Sequence, residues 1–167
     1  MNSAIKWGLI SGGVSGSWMF IQILFKLYKT NIGLYSGYIF IVLLLFSIYM
    51  GIKESRDKEF EGKMLITDAL KKGLAVCSVN AIILGLFTYV YWANPNAEFI
   101  DYLIERSKEL MIKHGDSSAK IEQELDNIRV SLQPMRQVTQ TIFGSMILGL
   151  FASILFSLLL TRKSFTT

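Results

Sequence analysis

Apolar residues in this chain come in four long blocks, and charged residues fall between the blocks rather than inside them. A helix crossing a hydrocarbon core about 30 Å thick needs about 20 residues at a rise of about 1.5 Å each. Four runs reach that length: roughly Trp7 to Tyr28, Gly33 to Ile52, Leu74 to Trp92 and Val138 to Thr161. None carries an acidic residue in its middle, and Lys26 lies one turn from the end of the first, where its amine can reach the surface. Tyr28, Tyr35, Tyr49, Tyr89, Tyr91 and Trp92 lie near the ends of the runs, where interfacial aromatic belts form. The pattern predicts an all-α polytopic membrane protein: one membrane domain over residues 1–167, a bundle of four transmembrane helices.

The links differ in character. The first, around Lys29-Thr30-Asn31, is short enough to force an antiparallel hairpin. The second, residues 53–73, reads as a basic elbow whose part from Met64 to Leu70 mixes apolar residues with charge and suits the membrane interface. The third is about 45 residues long and has a helical pattern of its own. From Asn96, residues Phe99, Ile100, Leu103, Ile104, Leu110 and Met111 recur at three- and four-residue spacing. Gly115 breaks that pattern, and Asp116, Ser117 and Ser118 offer caps for a second helix with Ile121, Leu125, Ile128 and Leu132 on one face. The expectation is an extramembrane helical hairpin over residues 94–134, its apolar stripes packed on each other and its charged faces turned outward. Alternatively the two helices extend spans three and four directly. Asn94-Pro95 argues for a break on entry, and a continuous helix from Ser117 to Thr161 would need Pro134 to kink it.

An even number of spans puts both termini on one side, together with the second link. That side collects Lys6, Lys53, Arg56, Lys58, Lys63, Lys71, Lys72, Arg162 and Lys163. The opposite side has Lys26 and Lys29 and then a long segment in which acids outnumber bases. The positive-inside rule therefore places both termini in the cytoplasm and the hairpin outside it.

Charge and cysteine content narrow the chemistry. The net charge of +4 is concentrated at the ends of apolar runs, where anionic lipid headgroups account for it without nucleic acid. The single cysteine, Cys77, precludes an intrachain disulfide and reads as a buried inert thiol. His114, the one histidine, stands in a polar loop without a companion ligand. The segment "KWGLISGGVSGSW" looks at first like a phosphate-cradling loop. A phosphate loop, however, needs a lysine and a hydroxyl directly after its last glycine, and here Gly16 is followed by Ser17 and Trp18. A dinucleotide fingerprint needs a strand before it and an acid about 20 residues on, yet the first acid is Glu54. A cleavable signal would place its small residues after the apolar stretch, not before it, so the segment is expected to remain as the first span.

Gly8, Gly12 and Gly16 instead follow a four-residue period, a small-residue face that lets another helix approach closely. Gly33 and Gly37 repeat the spacing in the second span, and Ser145, Gly149, Ser153 and Ser157 extend it in the fourth. The partner of these faces is a helix of the same bundle or of another subunit. The intramembrane polar residues are Gln22, Asn80, Thr88 and Gln140, and none is ionisable. Asn80 suits a hydrogen bond to another helix or, alternatively, a pore lining. Asp57 and Glu59 read as charge balance, and no catalytic constellation is visible, so no enzyme activity, cofactor or metal is expected.

The stretch "GIKESRDKEFEGKMLITDALKKG" presents Gly51, Ile52, Lys53, Arg56, Asp57, Lys58, Gly62, Lys63, Ala69 and Gly73 in an order that resembles domain-of-unknown-function family 4199, small membrane proteins of Bacteroidota. "IKWGLISGGVSG" and "GLFASILFSLLLTRK" at the two ends are also similar, so the likeness covers almost the whole chain; Ile66 stands where the family pattern would have an aromatic residue. The resemblance implies four inner-membrane spans and no particular activity. Within the motif, Asp57 can cap the elbow or pair with Arg56 or Lys58, and Gly62 can supply a turn with positive φ. Lys63, Lys71 and Lys72 then join Arg56 and Lys58 at the lipid headgroups. The expected function is that of a non-enzymatic accessory or assembly subunit, contacting membrane lipids and a protein partner or further copies of itself through the hairpin and the small-residue faces. The alternatives are an oligomeric channel or small-solute transporter, or a lipid-binding protein.

Overall fold

The computed structural model describes residues 2–94 and 97–161, and among them it contains helices and turns but no strand. The elements are α1 (Ser3–Leu24), a 3-10 turn (Leu27–Lys29), α2 (Asn31–Glu59), α3 (Ile66–Ala93), α4 (Ala97–Lys113), α5 (Ser118–Ser131) and α6 (Pro134–Thr161). Their ends have local causes. Asn2 and Thr30 accept backbone N–H groups from Ala4 and Gly33 and so cap α1 and α2. Ser117 does the same for α5 through Lys120 N–H. Pro134 opens α6 at the position where its missing N–H costs nothing, so it starts a helix rather than kinking one.

Several boundaries differ from the sequence expectation. Helix α1 ends at Leu24, not Tyr28, because Lys26 takes the left-handed conformation at φ 51°. Helix α2 runs on to Glu59 and α3 starts at Ile66, so residues 53–73 form two helix ends and a tight turn. The reason is that Lys53 to Glu59 are mostly good helix formers, and Glu54 pairs with Lys58 one turn on, so the charged stretch continues the helix. Gly62, at φ 84°, closes the turn, and Met64 tucks beneath it, buried. The helices α5 and α6 are separate, parted at Leu132 and Gln133. Pro95 and Asn96, at the expected break before α4, lie outside the described residues.

Helices α2 (over Tyr35–Glu59), α3 and α6 are long and apolar enough to cross a membrane. With 22 residues α1 also has the length, roughly 33 Å. The four long helices pack on one another in alternating directions. Ser3 and Lys6 of α1 meet Glu59 and Glu54 of α2, so those two run antiparallel. Phe20 meets Tyr91, which sets α1 parallel to α3. Cys77 meets Ser145 across α3 and α6, while Tyr49 meets Phe156 across α2 and α6. Leu44, Ile48, Ile52, Val76, Cys77 and Ala152 form the buried centre. Large apolar side chains such as Val42, Leu86, Phe143 and Phe151 point outward and are exposed, the inside-out distribution suited to lipid rather than water.

Helices α4 and α5 turn back on each other around Gly115, at φ 77°, and neither has a buried residue. The expected stripe residues Ile121, Leu125 and Ile128 are half-buried, whereas Leu110 is exposed.

Candidate functional site

The small-residue faces act inside this chain. A Cβ placed on Gly8 would fall 2.6 Å from Val79 Cβ and 2.8 Å from the Val76 carbonyl oxygen. One on Gly12 would fall 2.8 Å from Ile83 Cβ, and one on Gly16 would overlap the Phe87 ring. The three glycines are therefore what lets α1 lie directly on α3. Gly149 meets Cys77 in the same way, and Ser153 meets Gly73, joining α6 to α3. The Cys77 thiol donates to the Ser145 carbonyl at 3.1 Å. In α2 the pattern does not carry over. Gly33 abuts Leu27 and Tyr28 of the adjoining turn, and Gly37 is exposed, with no atom beyond its own helix within 4 Å of where a Cβ would sit. Gly37 therefore makes no close contact with another helix of this chain.

At the end of the bundle that holds Ser3 and Glu59, most of the basic residues are already paired. Glu54 accepts from Lys6 at 3.0 Å, from Trp7 Nε1 at 2.6 Å and from Lys58 at 2.7 Å. Glu59 pairs with Lys72 and accepts from the Ser3 N–H at 3.0 Å. Arg56 bonds Asp57 at 2.7 Å, and its Nη1 reaches the Leu160 carbonyl of α6 at 3.2 Å, where a cation meets the negative end of the helix. Lys71 pairs with Asp68, and Lys63 is exposed. Asp57 thus pairs with Arg56 rather than capping the turn. These residues lock α1, α2, α3 and α6 together more than they display free cations to headgroups. Arg162 and Lys163 lie outside the described residues.

At the opposite end, Lys26 and Lys29 both grip Glu98 at the start of α4, each at 2.7 Å. Their hydrogen bonds bring the Glu98 carboxyl down to about 2 and raise the Lys29 amine. Beside this clasp, Tyr28 packs edge-on against Phe99 at 4.8 Å and beside Tyr102 at 5.3 Å. Tyr28 is therefore not a belt residue facing lipid; it is buried under the first turns of α4.

Between these two ends the long helices part and leave a crevice. A cavity of about 380 Å³ lies among α1, α2, α3 and α6, with Leu44, Leu84 and Leu148 as apolar wall and Asn80, Gln140 and Thr141 as polar wall. A second, of about 220 Å³, adjoins it beneath α4, walled by Gln22, Tyr28, Gln137, Trp92 and Phe99. The two share Met19, Thr88 and Thr141. Of the intramembrane polar residues expected from sequence, Asn80 and Gln140 meet in the first cavity and Gln22 lines the second. Asn80 is 2% exposed and its Oδ1 has no hydrogen-bond partner; the Gln22 Nε2 and Tyr28 hydroxyl are likewise buried without one. Asn80 therefore does not make the interhelical hydrogen bond its position suggests. Tyr28, Gln137 and Thr141 also line these cavities, and their sequence context, at run ends, gives no sign that they converge. Among the described residues no cluster of His, Cys, Asp or Glu is arranged to hold a metal ion.

A family model described as "Protein of unknown function (DUF4199)" matches residues 6–162. No curated protein and no solved structure matches the chain.

Proposed function

Because this chain belongs to the DUF4199 family of proteins of unknown function, we propose that it is a four-span inner-membrane protein serving as a non-enzymatic accessory or assembly subunit. In this reading α1 is the fourth span, both termini are cytoplasmic, and α4 with α5 forms an extracytoplasmic hairpin that recognises a protein partner. Membrane character rests on α2, α3 and α6, three helices of spanning length and apolarity.

The observation that carries the partner reading is the contrast between the spans and the hairpin. The glycine face of α1 formed by Gly8, Gly12 and Gly16 and the Gly149–Ser153 face of α6 are already filled by α3. Helices α4 and α5 have amphipathic sequence and contain no buried residue; beyond the packing of Phe99 and Tyr102 on Tyr28, Leu110 and Ile112 stand 49% and 57% exposed. Exposed apolar side chains on an extramembrane element support a protein contact there.

The test is site-specific photocrosslinking in native membranes. A photoreactive residue at Ile112 yields a discrete heavier species, and the same residue at outward-facing Phe143 yields none. If both positions give only the uncrosslinked chain, the hairpin is not an interaction surface and the reading fails.

A further inference from the structure

We propose that the two adjoining cavities form one binding site for an uncharged amphiphile drawn from the bilayer, its oxygen-bearing head at Tyr28 and Gln22 and its chain running to Asn80. Shape supports this first. The walls follow α3 from Asn80 to Trp92, a run of roughly 18 Å at the helical rise, so the space is long and narrow. Volumes of about 380 and 220 Å³ fall together within the range of small-molecule sites. An elongated space of this kind suits a linear molecule.

Chemistry supports it second. No charged side chain lines either cavity, so a charged head would enter without a counter-ion. Two side chains in the walls are more than nine-tenths buried and have an unpartnered polar atom: Tyr28, 7% exposed, through its hydroxyl, and Asn80, 2% exposed, through its amide oxygen. Buried polar atoms are almost always hydrogen-bonded in native proteins, and these two, with Gln22 Nε2, lie at the two ends of one continuous wall. A hydroxyl or ester group on the ligand supplies the missing partner at the Tyr28 and Gln22 end, while Asn80 marks the far end of the space and is not matched by the chain.

Access supports it third. Gly144 and Gln140 on α6 and Ile41 on α2 line the first cavity and are also exposed, so its mouth lies between two apolar helices. A molecule entering there comes from the hydrocarbon, not from water. This site is distinct from the hairpin surface and from the paired charges near Glu54.

The probe is a diazirine-tagged monoacylglycerol, applied to the full-length protein in lipid nanodiscs, with the equally long tagged fatty acid as the charged comparator. Saturable labelling is expected on peptides containing Leu84 and Thr141, competed by untagged monoacylglycerol and much weaker with the fatty acid. Gly144 lines the mouth of the first cavity and nothing lies within 4 Å of a Cβ at that position, so Gly144→Leu adds side-chain bulk there. It should cut saturable labelling by about fivefold or more while leaving the melting temperature unchanged or higher. Tyr28→Phe removes one neutral hydrogen bond and should weaken half-saturation by about fivefold. Labelling scattered over outward-facing Phe143, Ile147 and Phe151, labelling unchanged in folded Gly144→Leu, equal labelling by the fatty acid, or no saturable labelling because water alone fills the space would each overturn the proposal.

Discussion

Replacing Gly8 by alanine adds one methyl group at the closest approach of α1 and α3, where Val79 Cβ would stand 2.6 Å and the Val76 carbonyl oxygen 2.8 Å away. Carbon atoms at rest lie about 3.5–4.0 Å apart, so the two helices must separate or shift. Overpacking of this kind costs about 1–3 kcal/mol, against which the helix propensity of alanine over glycine returns about 0.5–1 kcal/mol. The net expectation is a loss of about 1–2 kcal/mol, or roughly 3–6 °C in melting temperature for a chain of this size. Gly13 provides the internal control. It lies on the same helix, but nothing falls within 4 Å of a Cβ there. Gly13→Ala should therefore gain the propensity alone and raise stability by about 0.5–1 kcal/mol. Thermal unfolding of the purified protein in one detergent, followed by tryptophan fluorescence, compares the two directly. Equal effects from both substitutions, or a neutral Gly8→Ala, would refute the close α1–α3 packing.

Three further outcomes follow from the polar groups. Ser153→Ala removes a fully buried hydroxyl that has no hydrogen-bond partner, and should raise stability by about 1 kcal/mol in the same melting assay. Glu54→Gln strips the charge from an acceptor shared by Lys6, Trp7 and Lys58 and should lower the melting temperature more than Asp68→Asn, which loosens only the long 3.4 Å pair with Lys71. The Glu98 carboxyl is depressed in the folded state, so its clasp contributes fully above the ordinary carboxylate value of about 4.5 and is lost as pH falls toward about 2. The protection factors of the amides in the first turns of α4, exchange rates taken relative to the intrinsic rate at each pH, should hold at pH 5 and fall well below it, and Glu98→Gln should lower them at neutral pH.

The apolar runs locate the long helices well because a spanning helix needs little beyond length and apolarity. Their ends are harder to read. Hydropathy stops at the first charge, whereas helix formation does not, so Lys53 to Glu59 continue α2 and Asp68 to Lys72 belong to the start of α3. Conversely, Lys26 ends α1 early through a backbone conformation that no composition rule predicts for lysine. The glycine period identifies a contact face but not its partner; distances to Val79, Ile83 and Phe87 supply that. The second span shows the opposite limit, since Gly37 has the right spacing and no neighbour. Asn80 and Gln140 stand out as polar residues in apolar helices, but their convergence on one cavity depends on how α2 and α6 diverge. Tyr28 reads as an interfacial anchor in the sequence because a tyrosine at a run end looks the same whether lipid or α4 covers it.

The direction of α1 bears on how the chain is assembled. Its natural hairpin partner is α2, which follows it immediately and pins it through Glu54 and Glu59. Its glycine stripe, however, faces α3, made only after that hairpin is complete. During synthesis the first helix thus has its groove unfilled until α3 follows. Docking of α3 is then the step that fixes α1 in its place, so the first helix depends for its packing on a segment made after its hairpin partner.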